Sequence, residues 1–195
     1  MAARKNIRDR IVDTALKIAD EKGWGRVRLH DIADRLDIGL EDIHKQFGEL
    51  DEIGDAWFAR ADTAMLKIGG KAGKLPAAER LHRAIVCWLD VLAPHRRVAR
   101  DILTYKLRWP HVHLTAALVV RLSQTVQWLR EAAALDATGR QKQIEETGLS
   151  MLFASTVAYW LYDGSADQRR TREFLRRGLA RSDRLMARLW RKSAA

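Results

Sequence analysis

The sequence predicts an all-α protein of about nine helices, with an N-terminal three-helix helix-turn-helix head and a long-helix bundle as its body. Three observations carry this reading. Apolar residues recur at three- and four-residue spacing along nearly the whole chain, the period of an amphipathic helix. Only three prolines, Pro76, Pro94 and Pro110, interrupt the 195 residues, so long helices meet few breakers. Leu, Ala and Arg abound while β-branched residues are scattered, which favours helix over strand.

The elements follow in order. Ile7, Ile11, Ala15, Ile18 and Ala19 mark a first helix over 7–22, with Gly23 as its stop signal. Leu29, Ile32, Ala33 and Leu36 mark a second, short helix. After the tight turn Asp37-Ile38-Gly39, the residues Leu40, Ile43 and Phe47 mark a third, closed by Gly48. Leu50 to about Ile68 reads as a longer helix carrying Ile53, Trp57, Ala61 and Met65. The glycine-rich stretch from Gly69 to Pro76 is the clearest linker. The expected domains are therefore 1–53, with a connecting helix to about 70, and 71–195.

Beyond the linker, Leu81, Ile85, Trp88, Leu89 and Leu92 mark one helix, which ends at Ala93-Pro94. Val98, Ile102 and Tyr105 mark the next, ending before Trp109-Pro110. Leu114, Leu118, Leu122, Val126 and Leu129 form an i, i+4 ladder on a third. Ile144, Gly148, Met151, Ser155, Ala158 and Tyr162 trace a fourth, and Phe174, Leu175, Leu179, Met186 and Leu189 a fifth.

The net charge of +10 points to a polyanionic partner, but its placement is uneven. Residues 1–70 hold 12 Lys/Arg and 14 Asp/Glu, whereas residues 71–195 hold 23 and 11. The positive excess thus lies in the body. Cys87 is the only cysteine, so no intramolecular disulfide forms. The N-terminal MAARKNIRDR has no apolar signal core, and no apolar run reaches the roughly 18 residues of a membrane span. A cytoplasmic protein is expected.

Two short helices joined by a tight turn after a longer helix make the minimal helix-turn-helix pattern, with Ile32, Ala33, Leu36, Ile38, Ile43 and Phe47 as its shared core. The run from Ile11 through Ala15, Gly23, Asp31-Ile32-Ala33, Leu36, Ile38, Ile43, Phe47-Gly48 and Ile53 resembles the N-terminal domain of TetR-family regulators. The resemblance covers roughly the first third of the chain without a gap. It implies a third helix that enters the DNA major groove, and a body that binds a small molecule and dimerises through its last two long helices.

Carried over residue by residue, the resemblance assigns DNA contacts to Arg28, Gly39, Leu40, Asp42, His44 and Lys45 on an operator duplex, with Gln46, Arg4, Lys5, Arg8 and Arg10 as further candidates. Here the chain departs from the family pattern. Gly39 stands where a small hydroxyl residue usually caps the recognition helix, and Leu40, Glu41 and Asp42 stand where Lys, Gly and Thr are common. His44 replaces a tyrosine, and Leu50 a lysine. Two carboxylates suit the start of a helix dipole but repel phosphates.

A second resemblance lies in the body. Trp88 to His95, Ala158 to Ser165 and Arg172-Glu173-Phe174-Leu175 are similar to the lipid-binding accessory proteins of ubiquinone biosynthesis. Those proteins share the TetR fold without DNA binding, which implies a lipid carrier as the alternative function. Trp88, Tyr105, Trp109, Trp128 and Phe153 are the candidates to line a pocket for a small apolar ligand, against the plainer reading that they fill a core. Gly148, Ser155 and Ala158, flanked by Tyr159 and Tyr162, form the candidate homodimer interface, against packing within one chain.

The last helix carries a stripe of arginines, Arg170, Arg177, Arg181, Arg184, Arg188 and Arg191. A solvated face is the favoured reading; a surface for an anionic membrane or nucleic acid comes second. His111 and His113 are two apart, a spacing that separates them on a helix, and no Cys or carboxylate cluster joins them. No phosphate loop, nucleophile elbow or paired-carboxylate motif occurs, so neither enzyme activity nor a cofactor or metal is expected.

Overall fold

The computed structural model describes residues 6–69, 75–107 and 112–191. These form nine α-helices and no strand: α1 (Ile7–Lys22), α2 (Leu29–Leu36), α3 (Leu40–His44), α4 (Leu50–Gly69), α5 (Ala77–Leu92), α6 (Arg96–Lys106), α7 (Val112–Ala132), α8 (Gly139–Trp160) and α9 (Arg169–Arg191). No described helix is long and apolar enough to cross a membrane.

The helices pack as two compact units. One comprises Met1–Arg60 with Leu92–Thr115, the other Ala61–Val91 with Ala116–Ala195. Helix α6 therefore belongs with the head, although it follows the linker in sequence. Its buried face, Val98, Ala99 and Ile102, explains why. Gly54 of α4 comes so close to Ile102 and to the buried Trp24 that an added Cβ would lie 3.5 and 3.3 Å from their side chains. At the end of α6, the buried Lys106 donates to Asp55 at 2.8 Å, so the apolar contact is reinforced by an ion pair.

In the same unit, Ile11, Ala15, Ile18 and Ala19 of α1 are buried, as are Ile32 and Ala33 of α2 and Ile43 of α3. Gly23 ends α1 at φ 86°, a conformation that disfavours any side chain, and its N–H caps the carbonyl of Ala19. Asp37 adopts the left-handed region at φ 52°, and this turn separates α2 from α3. The Arg28 N–H donates to the Asp31 carboxylate at 3.2 Å, which satisfies one of the donors at the start of α2.

The second unit is built on Leu81, Ile85, Trp88 and Leu89 of α5, Val126 and Leu129 of α7, Leu149, Phe153 and Trp160 of α8, and Leu175 and Leu179 of α9. A polar knot crosses it, because Asp62 of α4 accepts from Trp88 Nε1 at 2.8 Å and from Thr125 Oγ1 at 3.2 Å. Helices α8 and α9 approach closely at Gly178, where an added Cβ would fall 2.3 Å from a methyl of Leu152.

The junction of α8 and α9 is organised by Asp163, a buried carboxylate. Its Oδ1 accepts from the Ser165 N–H and hydroxyl at 2.9 and 2.7 Å, and its Oδ2 accepts from those of Thr171 at 2.9 and 2.7 Å. Burial opposes the charge, but these four donors outweigh it and hold the carboxyl below the usual carboxylate range. The stabilisation is therefore fully present above the ordinary carboxylate pKa and is lost as pH falls below it. Asp163→Asn turns an amide NH₂ toward groups that are themselves donors. It is expected to cost about 2–3 kcal/mol at neutral pH and to flatten the loss of stability below about pH 5. Denaturant melts at several pH values check both effects, and unchanged melts would contradict this role for Asp163.

Candidate functional site

Helix α3 is five residues long, and after Lys45 the chain turns so that the N–H groups of Gln46 and Phe47 still reach the carbonyl of Ile43. Ile43 and Phe47 are buried, which fixes the outward face of the helix. Leu40 is 49% exposed, and Glu41, His44 and Lys45 are also exposed, as is Arg28 ahead of α2. The sequence-assigned contacts Arg28, Leu40, His44 and Lys45 thus lie on the surface, while Gly39 and Asp42 are half-buried.

The acidic start of α3 has a local explanation. Gly39 precedes the helix without a side-chain cap, and Glu41 folds back over it, so that an added Cβ on Gly39 would meet the Glu41 carboxylate. A hydroxyl residue there would compete with Glu41 for the same space, and the carboxylate sits near the positive end of the helix dipole. Lys45 donates to Asp42 at 2.9 Å, which lowers the Asp42 pKa and raises that of Lys45. One of the two carboxylates is therefore answered within the helix.

Several described cations of the head are engaged in the same way. Arg35 grips Glu21 through two bonds of 2.7 and 2.9 Å, and Lys22 pairs with Asp31. Arg60 bridges Asp9 and Asp13. Arg8 donates to the Gln46 carbonyl and lies 4.1 Å from the centre of the Phe47 ring. Arg8 thus braces the end of the recognition segment from 38 residues away. Arg10 and Arg28 make no ion pair among the described residues, whereas Arg4 and Lys5 lie outside them.

In the body, Trp88 and Phe153 meet edge to face at 5.1 Å, packed as a core pair. Trp128 stands 50% exposed on α7, and the half-buried Tyr105 belongs to α6 in the other compact unit. Trp109 lies outside the described residues, as does His111, and nothing is described of the His113 side chain. No group of three or more potential metal ligands occurs among the described residues. A cleft of about 210 Å³ opens elsewhere in this unit, lined mainly by Leu81, Leu135, Ile144, Leu149, Leu179 and Met186. Its lining is mainly aliphatic, so the aromatic residues of the sequence give no sign of it.

The candidate interface residues Gly148, Ser155, Ala158 and Tyr159 are all exposed on α8, and Tyr162 is exposed just past its end. They share that face with Met151, which is 70% exposed, while Leu149, Phe153, Thr156 and Trp160 point into the unit. No charged residue occurs between Thr147 and Tyr162. From Thr147 to its end the helix is thus uncharged on its covered and its exposed sides alike.

A TetR transcriptional regulator from Nitrosomonas europaea ATCC 19718 is 44% identical to this chain, covering 89% of this chain and 96% of that one, with a TM-score of 0.80. The chain belongs to the TetR family. A TetR transcriptional regulator from Rhodococcus sp. RHA1, at 16% identity, shares the fold with a TM-score of 0.60, covering 89% of this chain and 93% of that one. A TetR-like transcriptional regulator from the same organism does so at 19% identity and 0.56, covering 92% and 97%. The COQ9 family model matches residues 146–186, a stretch confined to α8, α9 and their junction. Among curated proteins, none matches.

Within this TetR-family head, the bracing role of Arg8 was not legible in the sequence, because its partners are distant along the chain. Arg8→Ala removes a charged hydrogen bond and a cation–π contact at an exposed site. It is expected to lower stability by about 1 kcal/mol in denaturant unfolding. An unchanged stability would show that Arg8 is available for other contacts.

Proposed function

We propose that the protein is a homodimeric, DNA-binding transcriptional regulator, a repressor whose operator affinity falls when a small apolar ligand occupies the body. The observation that carries this reading is the helix-turn-helix surface itself. The buried Ile32, Ala33, Ile43 and Phe47 hold a five-residue helix whose exposed residues include Leu40 and His44, with the exposed Lys45 at its C-terminal end and Arg28 close by in sequence. The 44% identical regulator from Nitrosomonas europaea supports it. In this reading Arg28, His44 and Lys45 contact phosphates or base edges, Leu40 packs on a thymine methyl, and Glu41 accepts from cytosine N4.

Dimerisation uses the uncharged outer face of α8, where Gly148, Ser155 and Ala158 permit close approach and Met151, Tyr159 and Tyr162 supply area. A two-fold axis then presents two recognition helices to successive major grooves, about 34 Å apart. The apolar effector fills the aliphatic cleft and extends toward the Trp88–Phe153 pair. It acts by binding one dimer geometry more tightly than the other. The protein is cytoplasmic and carries out no chemistry of its own.

Two observations favour a second reading. The COQ9 match spans α8 and α9 rather than the head, and α3 opens on two carboxylates. Both features suit a lipid carrier of the same fold that has given up DNA.

Selection from a randomised duplex pool at about 150 mM salt separates the two, since exposed charges are then screened beyond roughly 8 Å. The regulator enriches a palindrome, and Lys45→Ala weakens binding to all sequences and lowers the salt slope by about one unit. Glu41→Gln strengthens non-specific binding. Failure of an intact dimer to enrich any site, with or without added apolar ligand, overturns the regulator and leaves the carrier. Ala158→Glu places a charge in the α8 face and is expected to give monomers in light scattering that no longer hold the palindrome. An unmodified protein that stays monomeric at micromolar concentration in every salt and buffer tried would contradict the dimer.

A further inference from the structure

Beside the neutral face of α8 runs an open groove of about 1100 Å³ with an opposite chemistry. Leu152 and Tyr159 of α8 form one wall, and the first three turns of α9 form the other. Tyr159 stacks on Phe174 with ring centres 5.1 Å apart and planes 6° from parallel, so the floor is a flat aromatic plate with both rings partly exposed. Around it stand six arginines and only two carboxylates, Asp167 and Glu173. Glu173 is already shared between Arg176 and Arg177, at 3.0 and 2.7 Å. Arg172 is held by Asp90 at 2.7 Å. Arg169, Arg170 and Arg181 make no ion pair among the described residues.

On α9, Arg170, Arg177 and Arg181 lie within about a sixth of a turn of one another and share their side of the helix with Phe174, which sets cations along the edge of the plate. This side adjoins the α8 face assigned above to the homodimer. A two-fold contact across that face brings two copies of the same arginine row toward each other, because an isologous interface repeats every charge. The α8 face alone favours association, and the arginine row alone opposes it.

We propose that the α8–α9 groove binds a free multivalent oxyanion, of the phosphate-bearing class, and that this anion licenses dimerisation by neutralising the arginine row. The inference rests on the homodimer reading. Guanidinium groups suit the site because their planar donors engage two oxygens of a phosphate at once. The aromatic plate accepts an apolar or aromatic body attached to that head. Binding and dimerisation are linked, so an anion that prefers the dimer tightens it by the same factor by which dimerisation tightens anion binding.

Sedimentation equilibrium of the full chain, with inorganic pyrophosphate as the probe at constant ionic strength, tests this. The dimer is expected to tighten roughly tenfold with pyrophosphate, within the usual range of site coupling. It is also expected to tighten, not loosen, as sodium chloride rises at low ionic strength. The variant Arg170→Gln/Arg181→Gln is expected to dimerise at low salt without pyrophosphate and to lose the response, with an unchanged melting temperature. A dimer indifferent to pyrophosphate, or a double variant that keeps the full response, overturns the anion site and leaves the dimer reading intact. A monomer under every condition overturns both. Co-sedimentation with phosphatidylglycerol vesicles in a protein that ignores pyrophosphate also overturns the proposal, since the arginines would then serve a lipid surface.

Discussion

Where α8 ends, the chain must reverse over a few residues, and a buried carboxylate makes that reversal possible. Asp163 gathers the N–H and hydroxyl groups of both Ser165 and Thr171, so donors at the start of α9 find an acceptor without water. Just beyond it, Asp167 and Gln168 adopt left-handed backbone at φ 50° and 56°, strain that the fixed junction holds in place. The direction of α9 along α8 follows from this turn, and the Gly178–Leu152 approach and the Tyr159–Phe174 stack follow from that direction. The body's neutral face and its arginine row are therefore neighbours because of one side chain.

Charge is managed differently in the two compact units. In the head, Lys22, Arg35, Lys45 and Arg60 each meet a carboxylate of the same unit. The slight acidic excess of residues 1–70 is thus spread through local pairs, each worth little at the surface. In the body, the carboxylates run out before the arginines do. A protein that binds duplex DNA through such a head relies on a few exposed groups and on the spacing of two heads more than on a broad positive field.

The helices and the helix-turn-helix were legible in the sequence because both rest on local pattern: apolar spacing for α1 and α2, and the Asp37-Ile38-Gly39 break for the turn. The Asp42–Lys45 pair is equally local, one turn of helix apart. What stayed hidden depends on contacts between distant segments. The spacing of Val98 and Ile102 announces a helix but not that α6 packs with the head, because that choice is made by Trp24, Gly54 and Asp55. The tryptophans misdirect in another way. Trp88 and Trp128 both sit on helical patterns, yet Trp88 meets Phe153 in the core while Trp128 stands half exposed. The type of residue does not say which side of α7 faces inward. The aliphatic cleft left no motif to read, since leucines that line a void and leucines that fill a core have the same period.

The central claim is that α3 contacts DNA despite its carboxylates, and hydrogen–deuterium exchange of the full chain with an enriched palindromic duplex tests it most directly. Slowed exchange is expected in residues 28–46, the segment containing Arg28, α2 and α3, with α9 unchanged by the duplex. Protection confined to residues 169–188, with 28–46 exchanging as in the free protein, would contradict it.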